Sequence, residues 1–372
     1  MVIASPRYSP YFDHLHRRFA AELPLRLVVV YTHNSPRWKA ADGGVYEKVF
    51  LGDERDQDEM VSTTIADHVR EFRKGKRLIE VLKDCGASVF MTLGYRDPGR
   101  LRALRWAKTN GLLTFAWSDV NALGDAGHVG LRGLWKRQYV LSVDRLLHRW
   151  LVCGSRGIEY LTNYGVAANR IVRSPCEIDY SRFEKAVRAD DFPVDRKRFL
   201  FCGRMVDGKR PLNVVRAFVK LAKELSEWDL IVLGDGPMLS EARQIVPKEL
   251  VQRVRFEGFV RDADRVARIF AACQVLVHVP AHEPWGLVVN EAVASGLAVI
   301  ASRAVGSAAE LVTDGQNGLV IDHDDAPALE TAMRQITQAD VYARFGKASR
   351  EKLRSWRKTA DPVWGLREAL RS

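Results

Sequence analysis

The sequence predicts an α/β protein built from two doubly wound domains, each a parallel sheet covered by helices on both faces. The chain has 372 residues, which is too many for one ordinary core and suggests two domains. Its short apolar segments are apolar at nearly every position, as in strands buried on both faces, and helix-like segments separate them. With 47% hydrophobic and 28% charged residues, the composition is typical of a soluble globular protein.

The predicted strands of the second half follow one another at short intervals. They are RFLFCG (198–203), DLIVLG (229–234), RVRFEGFV (253–260), QVLVHVP (274–280), GLAVIAS (296–302) and NGLVID (317–322). Between the first two, residues 210–225 carry apolar side chains at helical spacing. The first half repeats the pattern less regularly, with predicted strands at 25–31, 88–95, 112–119 and 150–155.

The polar stretch VRADDFPVDRKR (187–198) contains a proline and no apolar periodicity, so it predicts a domain boundary. We expect an N-terminal domain over residues 1–187 and a C-terminal domain over residues 188–355. Residues 356–372 are expected to form a C-terminal helix that can pack back on the N-terminal domain, because a proline opens the helical stretch DPVWGLREALRS.

The chain carries a net charge of +11, and residues 101–150 hold eight basic and three acidic side chains. Such a face favours nucleic acid, anionic lipid or phosphorylated ligands, although a basic solvated surface explains the charge equally well. A nucleic-acid partner is disfavoured, because the sequence has no recognition motif and no basic stripe interleaved with aromatic residues.

The five cysteines are scattered, odd in number and never in a C-x-x-C pair, which argues against a disulfide framework and against a zinc site. The N-terminus has only a short apolar start, and no apolar run reaches the roughly 18 residues of a spanning helix. We therefore expect a cytoplasmic protein.

Two carboxylates stand eight positions apart in the apolar stretch AHEPWGLVVNEAVASGLAVIAS (281–302). Glu283 directly follows a predicted strand, so it should lie at the carboxyl end of the sheet, where open α/β sheets bind ligands. Pro284 suits the first turn of a helix, whose unpaired backbone N–H groups can bind an anion. Glu291 lies about 80° past two full helical turns, so the two acids can meet one ligand only if Glu283 stands outside the helix.

Cations and glycines in neighbouring loops are the other candidates. CGRMVDGKRP places Arg204 and Lys209 after the first strand of the second half, where two cations can neutralise a diphosphate without a metal. LGDGPM (233–238) places Gly234 and Gly236 where the backbone can approach a ligand closely. Leu239 occupies the third glycine position of G-x-G-x-x-G, which argues against a nicotinamide or flavin enzyme.

Each of these residues alone has an ordinary structural explanation. An isolated acid in an apolar helix, or a cation in a loop, is more often a surface or capping residue. The DAD segment (262–264) matches a metal-binding D-x-D pattern, but Asp264 is better placed as a helix N-cap. Two acids and two cations in neighbouring loops, taken together, favour a binding site.

Together these segments resemble the retaining GT-B glycosyltransferases of family 4, also called glycosyl transferases group 1. The family signature E-x7-E is found here as Glu283 and Glu291, and GSAAELVTDGQNGLVI (306–321) follows it. The resemblance extends to GRMVDGKRP, GDGP, VRFEGFV and residues 154–179, and it covers roughly residues 150–340. It implies two Rossmann-like doubly wound domains facing a cleft, with the acceptor bound by the first domain and the nucleotide sugar by the second.

The resemblance also implies a role for each candidate residue. Glu283 would contact hydroxyls of the donor sugar, and Glu291 the ribose hydroxyls of the nucleotide. Arg204 and Lys209 would bind the diphosphate. The remaining donor contacts would come from Gly234, Gly236, Pro284, Trp285, Gly286, Leu287 and Val288. Asp119, in AWSDVNALGDAGH (116–128), is the N-terminal candidate that completes the sugar pocket.

The chain departs from the family pattern at three places. Cys176-Glu177 stands before Asp179 where Asn-Gly is usual, Ala298 replaces a proline, and Val305-Gly306 replaces a glycine pair. The first departure can alter the donor pocket. The role of Glu310, a recurrent acid of the family, stays open.

The resemblance implies a retaining glycosyltransferase that moves a sugar from a UDP- or GDP-sugar to a glycan or lipid-linked acceptor, with no further cofactor and no metal ion. Bacterial cell-surface polysaccharide or lipopolysaccharide synthesis is the expected setting. The alternatives are a GT-B nucleotide-sugar epimerase and an inactive nucleotide-sugar-binding protein. An anionic membrane surface is a further expected partner, because residues 131–150 interleave apolar and basic side chains, although part of this segment is expected to be a core helix.

Overall fold

The structure is a computed structural model, and it describes residues 1–35, 38, 44–52, 64–124, 130–338 and 340–371. The chain divides into two compact units. The N-terminal unit comprises Met1–Glu177 and Ala360–Ser372, and the C-terminal unit comprises Ile178–Thr359. Each unit is an α/β structure around a parallel sheet, as the sequence predicts.

The described part of the N-terminal unit contains seven strands and six α-helices. The strands are β1 (Val2–Ser5), β2 (Val28–Tyr31), β3 (Glu47–Phe50), β4 (Val89–Leu93), β5 (Leu113–Ser118), β6 (Arg149–Val152) and β7 (Ile171–Arg173). The helices are α1 (Pro10–Glu22), α2 (Ile65–Asp84), α3 (Pro98–Thr109), α4 (Gly130–Asp144), α5 (Ser155–Asn163) and α14 (Pro362–Ala369). The strand order β3-β2-β1-β4-β5-β6-β7 reverses direction between β1 and β4, which is the doubly wound arrangement.

The described part of the C-terminal unit contains six strands and eight α-helices. The strands are β8 (Lys197–Cys202), β9 (Trp228–Leu233), β10 (Val254–Gly258), β11 (Val275–His278), β12 (Ala298–Ser302) and β13 (Gly318–Ile321). The helices are α6 (Tyr180–Glu184), α7 (Pro211–Leu221), α8 (Leu239–Ile245), α9 (Ala263–Ala271), α10 (Leu287–Ser295), α11 (Ala308–Leu311), α12 (Ala326–Thr337) and α13 (Val341–Arg357). The strand order is β10-β9-β8-β11-β12-β13, so the point of reversal lies between β8 and β11.

All six strands predicted in the second half are present, because their apolar runs fill the core on both faces of the sheet. Phe199, Leu230, Val275 and Val299 are completely buried. In the first half the sequence pattern misses β1, β3 and β7. These strands have only three or four residues, and β1 is nevertheless central because it pairs with both β2 and β4. Pairing with neighbours, rather than composition, makes such short segments strands.

The units divide between Glu177 and Ile178, upstream of the polar stretch at 187–198. Helix α6 lies in the C-terminal unit because Tyr180 and Phe183 pack there. The Tyr180 hydroxyl accepts a hydrogen bond of 2.9 Å from Asn290 Nδ2 on α10, and the Phe183 ring meets Phe270 of α9 edge to face. Helix α14 lies in the N-terminal unit, where the Ser174 hydroxyl donates to the Pro362 carbonyl at 3.1 Å.

Helix α4 is only partly buried. Gly133, Val140 and Val143 face the core, whereas Leu131 and Trp135 are each 77% exposed. The second half of the 131–150 segment therefore behaves as the expected core helix and strand, and the first half presents an apolar surface. Among the helices of the described residues, none is long and apolar enough to cross a membrane.

Candidate functional site

The predicted donor residues of the C-terminal unit follow the strands on either side of its point of reversal. Arg204 and Lys209 follow β8, and Glu283 follows β11. Adjacent connections run to opposite faces of the sheet at such a point, which opens a crevice at the carboxyl ends of the strands. This edge is therefore the candidate site.

Glu283 lies outside helix α10. Its backbone N–H donates to the Ala304 carbonyl at 3.2 Å, and its carbonyl accepts from the Gly306 N–H at 3.1 Å, so it forms a parallel bridge beside Val305. The prediction that Pro284 occupies the first helical turn is wrong, because these bonds to residues 304–306 hold the segment extended and α10 begins only at Leu287. Glu283 thus meets the condition under which two acids eight positions apart can reach one ligand.

The turn into α10 requires glycine. Gly286 has a φ of 91°, which side chains rarely allow, and a Cβ at this position would lie 2.9 Å from Glu283 Cγ. The first N–H groups of α10, those of Leu287 and Val288, have no acceptor within the helix, as at every helix start. The helix begins three residues later than predicted, and the N–H groups that can bind an anion at its start, those of Leu287 and Val288, are among the predicted donors.

The Glu283 carboxylate is held by two basic side chains. Lys209 Nζ forms an ion pair with Glu283 Oε2, and His278 Nε2 lies 3.3 Å from the same oxygen. The Glu283 side chain is 15% exposed, and burial alone would raise its pKa. The hydrogen bond and charge of His278 and the charge of Lys209 outweigh burial and lower the pKa of Glu283 to about 2.

Glu291 is almost completely buried, at 3% exposure, in the middle of α10. Burial raises the pKa of the Cys202 thiol, and the negative charge of Glu291 raises it further. The charge of Glu291 therefore acts on Cys202, the last residue of β8. A carboxylate buried this deeply is suited to fixed hydrogen bonds rather than to contact with bulk water.

The two predicted phosphate ligands differ in their surroundings. Arg204 is exposed, and its guanidinium has no carboxylate partner within the part of the chain that the structure describes. Lys209 ends a short 3₁₀ turn, Asp207–Lys209, and only 15% of its side chain is exposed. Arg204 can turn to a ligand without breaking an ion pair, whereas Lys209 would have to weaken its ion pair with Glu283 to do so.

Gly234 and Gly236 lie in the loop after β9 and have φ values of 145° and 151°. A Cβ on Gly234 would lie 1.9 Å from the Gly203 carbonyl oxygen, and one on Gly236 would lie 2.6 Å from the Met205 carbonyl oxygen. The close approach that these glycines permit is to the loop after β8, which carries Arg204. They thereby shape the predicted phosphate loop.

Asp119 directly follows β5 in the N-terminal unit and is exposed. Residues 125–128 of the predicted 116–128 segment lie outside the described residues. In the DAD segment the helix N-cap is Asp262, which accepts from the Asp264 N–H at 2.9 Å, because α9 begins earlier than predicted. Asp264 instead forms an ion pair with Arg182 at 2.8 Å.

Two features of the site have little or no signal in the local sequence. His278 is the last residue of β11, and its only sequence signal was a titratable residue inside an apolar strand. The other is a buried network in which the Trp285 indole donates to Asn290 Oδ1 at 3.0 Å and lies against Trp356 of α13. The Trp356 indole in turn donates to Glu310 Oε2 at 3.1 Å, which gives Glu310 a structural role that no local pattern indicates.

One group of described residues, in the N-terminal unit, brings three potential metal ligands together. Ligand atoms of His33, Glu71 and Asp97 all lie within 4.8 Å of one another. Lys74 Nζ lies 3.1 Å from Glu71 Oε1 and already neutralises that carboxylate, so we assign no metal to this group.

Comparison with known proteins shows which family part of the chain resembles. A model of the family described as glycosyl transferases group 1 matches residues 183–352. The D-inositol 3-phosphate glycosyltransferase of Acidothermus cellulolyticus is 28% identical over 301 residues, which are 74% of this chain and 65% of that protein. The lipopolysaccharide core biosynthesis glycosyltransferase LpsE of Rhizobium meliloti is 32% identical over 161 residues, which are 43% of this chain and 45% of that protein. The chain thus spans less than two thirds of the length of these curated relatives.

The fold has solved counterparts. Anabaena Alr3699/HepE, crystallised with UDP and glucose, matches 100% of this chain and 99% of its own with a TM-score of 0.72 and 16% identity. That likeness concerns the fold, which is GT-B with two Rossmann-like domains. The matched region 183–352 contains both acids of E-x7-E and both predicted phosphate ligands. Residues 183–352, which make up most of the C-terminal unit, therefore match the glycosyl transferases group 1 family.

Proposed function

We propose that this protein is a retaining glycosyltransferase that moves a sugar from a UDP- or GDP-sugar to a glycan or lipid-linked acceptor. The observation that carries the proposal is the meeting of Glu283, Lys209 and the start of α10 at the point of strand reversal. A buried carboxylate suits the hydroxyls of a sugar, while a cation and helix-start N–H groups suit a diphosphate. The complex of HepE with UDP and glucose supports the same class of donor.

In the proposed reaction the bond between the anomeric carbon and the leaving phosphate oxygen breaks. Positive charge develops on the sugar ring and extra negative charge on the phosphate. Arg204, Lys209 and the N–H groups of Leu287 and Val288 stabilise the leaving diphosphate without a metal ion. The acceptor oxygen then bonds to the anomeric carbon on the face that the phosphate leaves, and the phosphate takes the acceptor proton.

Two carboxylates would position the two ends of the donor. Glu283 would accept hydrogen bonds from hydroxyls of the sugar, and Glu291 from the ribose of the nucleotide. The role of Asp119 stays a prediction that rests on the resemblance alone. The relatives named for an inositol phosphate acceptor and for lipopolysaccharide core synthesis support a polar or lipid-linked acceptor in bacterial surface glycan synthesis.

A thermal-shift panel with UDP, GDP, ADP and CMP tests donor binding, because a ligand that binds only the folded state raises the melting temperature. We expect UDP or GDP to stabilise the protein and Glu291→Gln to abolish the effect. Product analysis with the matching nucleotide sugar then separates transfer from epimerisation and from binding without turnover. No stabilisation by any of the four nucleotides would contradict the proposal.

We further propose that the apolar end of α4 docks on an anionic membrane surface, from the cytoplasmic side. Leu131, Leu134 and Trp135 are 77%, 56% and 77% exposed and stand among Arg132 and Arg137. An exposed apolar surface rimmed by cations is typical of interfacial helices, and each nearby cation contributes roughly 1 kcal/mol toward anionic lipid. This surface would bring the enzyme to lipid-linked acceptors.

Co-sedimentation with vesicles tests the membrane surface. We expect binding to anionic vesicles that falls several-fold between low salt and physiological ionic strength, with little binding to neutral ones. Trp135→Ser should weaken binding. Trp364→Ser is the matched control, because Trp364 is 61% exposed on α14 and should leave binding unchanged. Equal recovery with neutral and anionic vesicles, or none with either, would contradict this part of the proposal.

A further inference from the structure

His278 is a buried polar residue to which the proposed donor contacts give no task. It ends β11, a strand of otherwise apolar residues, and is 2% exposed. Its Nδ1 is buried and has no hydrogen-bond partner among the described residues. An unsatisfied buried polar atom costs about 1–3 kcal/mol, so an apolar side chain would serve the core better. The contact that gives the ring a purpose is that of Nε2 with Glu283 Oε2 at 3.3 Å.

Lys209, which also pairs with Glu283, can bind either of two anions. It forms an ion pair with Glu283 in this structure, and the proposed function also assigns it to the diphosphate of the donor. A diphosphate carries more charge than one carboxylate, so it draws the flexible ammonium group toward itself. Glu283, which is 15% exposed, then loses one of its counter-charges, and a buried carboxylate that loses a counter-charge is destabilised.

His278 can still bind Glu283 after Lys209 turns to the diphosphate, because the His278 ring is fixed in place. Its ring is packed at the end of a strand that pairs with β12 and β8, whereas Lys209 sits in a loop turn. Both side chains act on the Glu283 carboxylate, and they come from the ends of two neighbouring strands. His278 is therefore a fixed donor, and Lys209 a movable cation, to the same oxygen of Glu283.

We propose that His278 is a positioning residue that holds the Glu283 carboxylate ionised and in place when Lys209 turns to the donor diphosphate. The proposal rests on the proposed function, since the exchange of Lys209 needs a nucleoside-diphosphate donor. His278 does not touch the substrate. It acts through Glu283, which in turn contacts the sugar.

Three substitutions separate this role from packing. His278→Leu keeps an apolar volume and removes the donor, and His278→Asn keeps polarity but is too short to reach Glu283 Oε2. His278→Gln places an amide N–H at about the reach of Nε2 and should restore function. If the leucine variant does not fold, the asparagine variant tests the same loss of the hydrogen bond to Glu283. Unfolding by urea measures how much stability each variant loses.

The first measurement does not depend on turnover. Carboxyl ¹³C NMR, with Glu283→Gln to assign the signal, follows the titration of Glu283 with and without bound UDP or GDP. We expect the wild-type pKa to stay far below its usual range, and His278→Leu and His278→Asn to raise it by about one unit or more, most clearly with nucleotide bound. An unchanged titration in these two variants would overturn the proposal.

The second measurement uses the reaction. His278→Leu and His278→Asn should lower kcat/KM for the sugar donor by about 10- to 100-fold, the effect of one charge-assisted hydrogen bond, while the Kd for UDP or GDP alone changes less than about twofold. His278→Gln should recover most of the loss. Equal impairment of all three variants, in proportion to lost stability, would assign His278 a packing role only. Absence of turnover in the wild type would contradict the proposed function, and the Glu283 titration would still decide this inference.

Discussion

Replacing Lys209 with methionine removes the cation that the candidate site uses twice, once for Glu283 and once for the proposed diphosphate. The pKa of Glu283 is lowered from its ordinary value of 4.5 to about 2. At roughly 1.4 kcal/mol per pKa unit, this shift corresponds to about 3 kcal/mol of folding free energy at neutral pH, to which Lys209 and His278 both contribute. We therefore expect Lys209→Met to lower the free energy of unfolding by about 1–2 kcal/mol.

The effect on catalysis should be larger than the effect on stability. Loss of one donor to a developing negative charge typically costs about two to three powers of ten in rate, or about 3–4 kcal/mol. Lys209→Met should therefore lower kcat/KM for the donor by about 100- to 1000-fold, and Arg204→Ala should do the same with little loss of stability, because Arg204 is exposed. Urea unfolding and initial rates with the matching nucleotide sugar measure the two quantities separately.

Lys220→Met is the matched control for this experiment. Lys220 Nζ lies 2.8 Å from Glu330 on the surface of the same unit, and its side chain is 65% exposed. Exposed ion pairs contribute at most about 1 kcal/mol, so both stability and kcat/KM should stay near wild type. The reasoning would be refuted if Lys209→Met kept kcat/KM within about threefold of wild type, or if Lys220→Met lowered it equally.

Three further experiments address the same site. Gly286→Ala should lower the free energy of unfolding by about 1–3 kcal/mol and displace Glu283. Gly315→Ala is the control: its φ is 71° and no atom lies within 4 Å of the added Cβ, so it should show only the backbone cost of about 1 kcal/mol, and equal losses in both variants would contradict the contact with Glu283. Glu283→Gln should be less stable than wild type above about pH 4.5 and lose that difference as the pH falls toward 2, because the folded pKa lies below the unfolded one; urea unfolding from pH 6 to 3 checks this, and a constant difference would speak against it. Turnover should survive EDTA and retain the anomeric configuration of the donor, as read from the anomeric proton coupling in NMR; restoration by magnesium after chelation, or an inverted product, would count against the proposed mechanism.

The sequence by itself determined the fold class, most of the strands and the loops in which the candidate residues stand. Continuous apolar runs such as DLIVLG identify strands because a strand buried on both faces must be apolar at every position. A residue that directly follows such a run lies at the carboxyl end of the sheet, so the placement of Arg204, Lys209 and Glu283 at one edge needed no coordinates. The family of residues 183–352 follows from the same local motifs.

Only the tertiary structure decided how these residues meet. Glu283 stands outside α10 because residues 304–306, distant in sequence, bind its backbone, and no local pattern distinguishes that extended bridge from a proline-initiated helical turn. The contact of Glu283 with His278 and Lys209 joins the ends of two strands that are adjacent only in the folded sheet. Gly234 and Gly236 likewise approach a neighbouring loop whose position depends on the pairing of β8 with β9. Periodicity and propensity act along a few residues of chain, whereas these contacts arise from packing between segments far apart in sequence, and packing exists only once the chain has folded.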